Sequence, residues 1–181
     1  MLRPPFEWPI PTPELKNDRV VLRHVSLADV DEIFSNAIDP DTIKFTNVPI
    51  PYTRTHAEDF VKATKVRWAI EDTQEPGRMA GNLKFELADL RAYSIQVGYN
   101  TNPWARGKGL MTHALRLATT HVFNEGVERI VLYTRVDNVA SRRVAEKAGF
   151  QFEGVARGAE LHRDANRYDV AQYGLLATDI L

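Results

Sequence analysis

Trp104 to Ala114 reads W-A-R-G-K-G-L-M-T-H-A, and the organisation of the chain is read outward from it. Two glycines flank a lysine behind an arginine, and a helical pattern follows at once. Leu110, Ala114, Leu117 and Ala118 recur at helical spacing, with Met111, Leu115 and Val122 widening the same apolar stripe. Upstream, Tyr93 to Thr101 (Y-S-I-Q-V-G-Y-N-T) alternates as a strand does, and Asn102-Pro103 breaks it. Strand, glycine turn and helix together make a holder for phosphates. Glycine lets backbone come close, and the free N–H groups and positive dipole end of the helix face the anion. Arg106 and Lys108 add formal charge. The same letters also suit a solvated loop with a glycine cap, so a second signal is needed.

Two sharper alternatives fail on spacing. A Walker loop needs glycines further apart and a Lys-Ser/Thr pair, which Met111-Thr112 does not supply. A dinucleotide fingerprint needs a third glycine that Gly107 and Gly109 lack. The second signal is Val136 to Phe152, V-D-N-V-A-S-R-R-V-A-E-K-A-G-F-Q-F. It follows an apolar strand at Arg129 to Thr134 and holds a short helix from about Val139 to Ala148, stopped by Gly149. With R-G-K-G-L-M about thirty residues earlier, the chain resembles the GNAT N-acetyltransferase superfamily. R-V-V-L-R-H-V-S-L-A-D-V-D (Arg19 to Asp31), Gly98-Tyr99, F-E-G-V-A-R (Phe152 to Arg157) and R-Y-D-V-A-Q-Y-G-L-L (Arg167 to Leu176) extend the likeness to the Rim-type branch. That branch includes enzymes that acetylate ribosomal-protein N-termini, and the resemblance covers nearly all of the chain from Leu15 onward.

Composition agrees with an ordinary enzyme domain. The 181 residues are 44% hydrophobic and 26% charged, enough for a real core and unlike a disordered chain. No apolar run has the length of a membrane span and no signal peptide is recognisable, so a cytoplasmic location is expected. A net charge of -1 gives no reason to expect nucleic acid as partner. His24, His56, His113, His121 and His162 are scattered without ligand spacing and there is no cysteine, so no metal is expected. Without a thiol to carry the acyl group, transfer should run directly from donor to acceptor.

One domain is expected over residues 15–181, behind an extended proline-rich arm over 1–14. The arm holds Pro4, Pro5, Pro9, Pro11 and Pro13 interleaved with Phe6 and Trp8, which would drape it over the domain. Beyond the arm, a first strand at Val20 to His24 leads to a helix from about Leu27 to Ala37, capped by Ser26. A turn-rich loop spans Phe45 to Thr53, and a second helix runs from about His56 to Trp68. Strands are expected near Met79 to Leu87, Tyr93 to Thr101, Arg129 to Thr134, Phe150 to Arg157 and Arg167 to Leu176. The crossover helix makes the strands on either side of it parallel.

The resemblance implies the rest. The fold would be an α/β (α+β) GNAT fold, a mixed, mostly antiparallel central sheet with one parallel, splayed strand pair, flanked by about four helices. Acetyl-coenzyme A would lie between the splayed strands, held by backbone of Tyr99, Asn100 and Thr101. The N–H groups of Arg106, Gly107, Lys108, Gly109, Leu110 and Met111 would grip its pyrophosphate, and Asn138 would bond its pantetheine arm or start the helix. Glu160 would be the general base, effective if burial lifts its pKa, with Glu86 in reserve. Ser141 would donate to the departing sulfur, because the tyrosine that many relatives use is replaced by Ala145; the plainer role for Ser141 is to cap its own helix. Arg116, Arg142 and Arg143 could touch the adenosine 3′-phosphate, although exposed arginines on helices are usually only solvated. Tyr52, Arg67 and Trp68 could face the acceptor, although an aromatic under a proline-rich loop is the simpler account of Tyr52 and Trp68.

The implied activity is acetyl transfer from acetyl-coenzyme A to a primary amine, with a protein N-terminus preferred. A small amine (amino acid, polyamine or amine antibiotic) is the alternative acceptor, and a coenzyme-A-binding module without catalysis the alternative class. The chain would act as a monomer or a homodimer, without a membrane partner.

Overall fold

The computed structural model describes residues 6–63 and 65–180; Pro4 and Pro5 of the arm lie outside the described residues. Eight strands are present: β1 (Leu15–Lys16), β2 (Val20–Arg23), β3 (Val66–Asp72), β4 (Glu75–Asp89), β5 (Ser94–Thr101), β6 (Arg129–Arg135), β7 (Gln151–Leu161) and β8 (Arg167–Leu176). They form one sheet in the order β1-β2-β3-β4-β5-β6-β8-β7, antiparallel throughout except for β5 beside β6. Five α-helices accompany them among the described residues: α1 (Val30–Ala37), α2 (Pro40–Phe45), α3 (Arg54–Lys62), α4 (Leu110–Asn124) and α5 (Val139–Lys147). This is the mixed, mostly antiparallel sheet with one parallel pair that the resemblance implied.

The apolar stripe of α4 explains why the parallel pair exists. Leu110, Met111, Ala114, Leu115, Ala118 and Val122 are all buried, packed with Leu22, Trp68, Ile70, Leu83, Phe85, Ile95 and Ile130 of the sheet. A helix that buries so continuous a face on the sheet brings the chain back to start β6 beside β5. On the other face, Val30, Ile33 and Ala57 of α1 and α3 cover Ala69 and Met79.

Several elements depart from expectation. The second helix ends at Lys62, and Val66–Trp68 belong to β3 rather than to a helix. β3 is covered on both faces, so six of its seven residues are buried, the charged Arg67 and Asp72 among them, and V-R-W-A-I-E-D shows no alternation that would mark a strand. The added helix α2 starts at Pro40 with Asp39 as its cap, the Asp39 carboxylate accepting from the Thr42 amide at 3.0 Å. The first helix begins with a single 3-10 turn, Leu27–Asp29, and the Ser26 amide donates to Asp29 at 2.8 Å.

The arm lies against the domain. Phe6 and Ile10 are buried, Phe6 meets Trp8 and Tyr93 ring to ring, and the Trp68 indole donates to the Pro13 carbonyl at 2.8 Å. No helix of the described residues is long and apolar enough to cross a membrane.

Candidate active site

β5 and β6 are paired only from Ser94–Arg129 to Val97–Leu132. Beyond that point β5 continues along β4 to Thr101 and β6 continues along β8 to Arg135. The two strands therefore fork, and the wedge between Gly98–Thr101 and Tyr133–Arg135 opens into a cleft of about 920 Å³. Strand edges inside a fork carry peptide groups that neither neighbour pairs, which suits an extended ligand that can act as an added strand. Tyr99, Asn100, Thr101, Arg106, Gly107, Gly109, Leu110, Met111, Asn138, Ser141 and Glu160 all line this one cleft.

At the open end of the fork, Gly107 and Gly109 hold φ of 77° and 76°, a region that other residues avoid. A Cβ on either would meet nothing within 4 Å, so the loop leaves room for a ligand against its backbone. Gly109 caps α4 without a side-chain hydrogen bond, which exposes the first amides of a 15-residue helix to the cleft. Met111 keeps its side chain in the core, at 4% exposure, so only its backbone is on offer.

The two basic side chains of the loop are both engaged by carboxylates. The Arg106 guanidinium donates to Asp39 at 2.5 Å and to Asp41 at 3.2 Å. Lys108 pairs with Glu75 at 2.8 Å, sits 4.8 Å from the Trp104 ring, and is absent from the cleft wall. A buried polar network fixes the loop from behind. Asn102 donates to the Met79 carbonyl at 3.0 Å and to Glu32 at 2.9 Å, Trp104 donates to the same Glu32 oxygen at 3.1 Å, and Asn36 donates to Asn102 at 2.7 Å and to Asn100. Sequence reasoning missed Glu32, Asn36 and Asn102. The available signal was Asn36, a polar residue within the buried stripe Val30, Ile33, Ala37.

α5 forms the opposite wall. Asn138 caps it, its side-chain oxygen accepting from the Ser141 amide at 3.1 Å. The cap is therefore Asn138, and the Ser141 hydroxyl is left for another partner. It meets the Tyr99 hydroxyl at 3.2 Å, while that hydroxyl donates to the Ser141 carbonyl at 2.9 Å. Burial pushes the Tyr99 hydroxyl well above its usual range, against the smaller opposing pull of its bond to Ser141. Ala145, one turn further on, is fully buried and faces the core.

Glu160 reaches the cleft from β7 through a bulge. Between Ala156–Val170 and Glu160–Tyr168, β7 advances four residues while β8 advances two, and Gly158 takes a positive φ of 58° within the excess. Such a bulge re-aims the side chain that follows it. Glu160 ends half-buried, near the buried guanidinium of Arg135. Hydrogen bonding to Asp137 is the largest influence keeping Arg135 charged; burial opposes it, and Tyr168 and Glu160 add to it. Arg135 also lies 3.4 Å from the Tyr168 ring centroid and donates to the Lys44 carbonyl at 3.1 Å, tying the β7–β8 hairpin to α2.

Glu86, Trp68, Tyr52 and Arg67 fall outside the cleft. Glu86 is bonded to Lys84 at 2.8 Å, which more than offsets desolvation and lowers its pKa, and it does not line the cleft. Trp68 is fully buried in the core and cannot face an acceptor. Tyr52 packs on Phe34 and His56, and Arg67 is buried over the Phe60 ring at 3.6 Å. Arg116, Arg143 and Lys147 line the cleft beyond the loop, whereas Arg142 donates to the Tyr173 hydroxyl at 3.0 Å.

A forked sheet, a glycine loop with open space over its backbone, and an uncapped helix start are the features that an elongated ligand ending in phosphates needs, so these residues fit coenzyme A. The sequence pattern of the acetyltransferase (GNAT) domain family matches residues 19–151. The chain belongs to the GNAT acetyltransferase family. It is 26% identical over 175 residues to "Uncharacterized N-acetyltransferase YoaA" of Bacillus subtilis, covering 91% of this chain and 97% of that protein. It is 31% identical over 88 residues to the "Ribosomal-protein-serine acetyltransferase" of Escherichia coli, covering 48% and 49% of the two chains. The fold superposes with a TM-score of 0.78 on the structure of RimL, ribosomal L7/L12 α-N-protein acetyltransferase, in complex with coenzyme A, at 21% identity over 91% of this chain and 98% of that one. This acetyltransferase is an acetyl-coenzyme-A-dependent enzyme, and among the described residues no group of side chains is suited to a metal.

Proposed function

We propose that the acetyltransferase acetylates the α-amine of a protein N-terminus, with Glu160 as general base and Ser141 as the hydrogen-bond donor at the departing sulfur. The observation that carries this reading is the state of the carboxylates in the cleft. Asp41 is engaged by Arg106 and Asp137 by Arg135, while Glu160 forms no ion pair among the described residues. One available carboxylate suits a single amine. A polyamine or aminoglycoside calls for several. The names of the Escherichia coli relative and of the RimL structure point to the same class of acceptor.

Bound acetyl-coenzyme A supplies an acetyl group activated as a thioester; Tyr99 to Thr101 and the loop from Arg106 to Met111 would hold it. The protein's own work is then proton management. An amine attacks only when neutral, and at pH 7 an α-amine is about 10% neutral whereas a lysine is below about 0.1%. A single half-buried carboxylate therefore suffices for an N-terminus, with Glu160 taking the proton directly or through one water. On the other wall, Ser141 Oγ supplies a donor where negative charge develops. A cytoplasmic location goes with this reading.

The test is thiol release from acetyl-coenzyme A across an acceptor panel: peptides with free Ser or Ala N-termini, the same peptides N-blocked but containing lysine, free amino acids, polyamines and aminoglycosides. Turnover confined to the free N-termini, and lost in Glu160→Gln, is expected. Turnover with a small amine and none with peptides would discard the protein acceptor.

A further inference from the structure

We infer that the Tyr99 hydroxyl is a positioning residue for the reaction, holding the Ser141 hydroxyl at the fork and supporting it when it turns into the cleft. The inference rests on the catalytic role proposed for Ser141. Tyr99 lies on β5 two residues past the last β5–β6 pair, and Ser141 lies on the helix that follows β6. Their contact therefore bridges the two sides of the fork, at residues that both line the cleft.

The hydrogen bonds explain what the bridge does. A serine hydroxyl in the first turn of a helix usually bonds its own backbone, but here Asn138 already satisfies the Ser141 amide. A phenol has one hydrogen to give and lone pairs to receive with. Tyr99 gives its hydrogen to the Ser141 carbonyl at 2.9 Å and receives the Ser141 hydroxyl at 3.2 Å. The second bond is long for two hydroxyls, whose usual separation is about 2.7–2.8 Å. It orients Ser141 Oγ without holding it tightly. When Ser141 re-aims its hydrogen at a negatively charged atom in the cleft, Tyr99 can move its own hydrogen from the carbonyl to Oγ of the same residue. A donor that is itself receiving a hydrogen bond is a stronger donor. Because burial keeps the phenol protonated, the support is available across the working pH range.

The experiment is a double-mutant cycle on the full chain, with steady-state kinetics for wild type, Tyr99→Phe, Ser141→Ala and the pair; thermal melting and coenzyme A binding confirm that each variant is folded. Tyr99→Phe is expected to lower kcat about tenfold with the KM for acetyl-coenzyme A within about twofold, and the double variant to be no slower than Ser141→Ala alone. A merely structural tyrosine would instead show an additive loss on top of Ser141→Ala, and that result, or an unchanged kcat in Tyr99→Phe, overturns the inference while leaving the Ser141 assignment in place. Wild-type turnover in Ser141→Ala overturns both.

Discussion

Arg106 and Asp39 meet at 2.5 Å, on the same carboxylate oxygen that accepts from the Thr42 amide and caps α2. The arginine of the glycine loop is thus a clasp to the neighbouring helix, and Lys108 is likewise committed to Glu75. On the proposed reading, phosphate affinity at this loop would come from backbone amides more than from formal charge. Lys108→Ala is expected to leave the KM for acetyl-coenzyme A within about twofold, since Nζ points away from the cleft. Arg106→Ala should cost about 1 kcal/mol of stability, the scale of a partly exposed pair, or a melting shift of about 2–4 °C. A tenfold rise in KM for Lys108→Ala would show instead that the side chain reaches the phosphates.

Acid should unfold the protein through its buried carboxylates. Desolvation works to raise the pKa of Asp29, but hydrogen bonds from Arg23 and from Ser26 outweigh it and hold the carboxyl below the usual range. Asp39 follows the same pattern, with Arg106 and Thr42 overcoming burial. A group depressed in the folded state contributes fully above its unfolded pKa of about 3.9 and loses that contribution as pH falls through the folded value. Unfolding free energy from urea titrations should therefore be flat from about pH 7 to 5 and drop below about pH 4. Asp29→Asn, which breaks the pair with Arg23 at 2.8 Å, should cost about 3 kcal/mol at pH 7 and show a shallower acid slope. Parallel slopes for the two proteins would remove Asp29 from the account.

Asn138 and Ser141 sit one helical turn apart and should separate cleanly in their effects. Asn138→Ala removes the cap of α5 and is expected to lower stability by about 1 kcal/mol. Ser141→Ala removes no capping bond, because the amide that Asn138 satisfies is backbone. It should leave melting almost unchanged while lowering kcat on the order of a hundredfold, the scale of one lost donor at developing charge. A Ser141→Ala protein that melts several degrees lower with normal kcat would reduce Ser141 to a structural residue.

The parts legible in the sequence are those with a local signal. α4 announces itself through its stripe, the parallel pair follows from the crossover, and β8 spans the Arg167 to Leu176 stretch that carried the resemblance. α2 had a signal in Asp39-Pro40, a cap followed by a first-turn proline, in the gap between the expected first helix and the loop at Phe45 to Thr53, where no element was expected. β3 had none, because burial on both faces erases the period that distinguishes strand from helix. The Tyr99–Ser141 contact joins residues 42 apart in sequence and depends on the angle at which two strands diverge; no local pattern encodes that. Glu160 was readable only through resemblance, since the bulge that turns it into the cleft depends on how β7 registers against β8.

Two glycines near the cleft do different work, and alanine substitution should tell them apart. Gly109 needs its positive φ of 76°, yet a Cβ there meets nothing within 4 Å. Gly109→Ala therefore pays only for backbone strain, about 1–2 kcal/mol, and puts a methyl group where the ligand must approach. Gly81 is the reverse case, outside the positive-φ region but with a Cβ that would strike the Asn100 carbonyl oxygen and lie 3.1 Å from Thr101 Cα. That collision is with backbone on the wall of the fork, so β4 and β5 must separate to admit it. Gly81→Ala should be the more destabilising of the two by melting, and Gly109→Ala the more damaging to acetyl-coenzyme A KM, by about tenfold. Equal KM values for Gly109→Ala and wild type would mean that the phosphates do not rest on this loop.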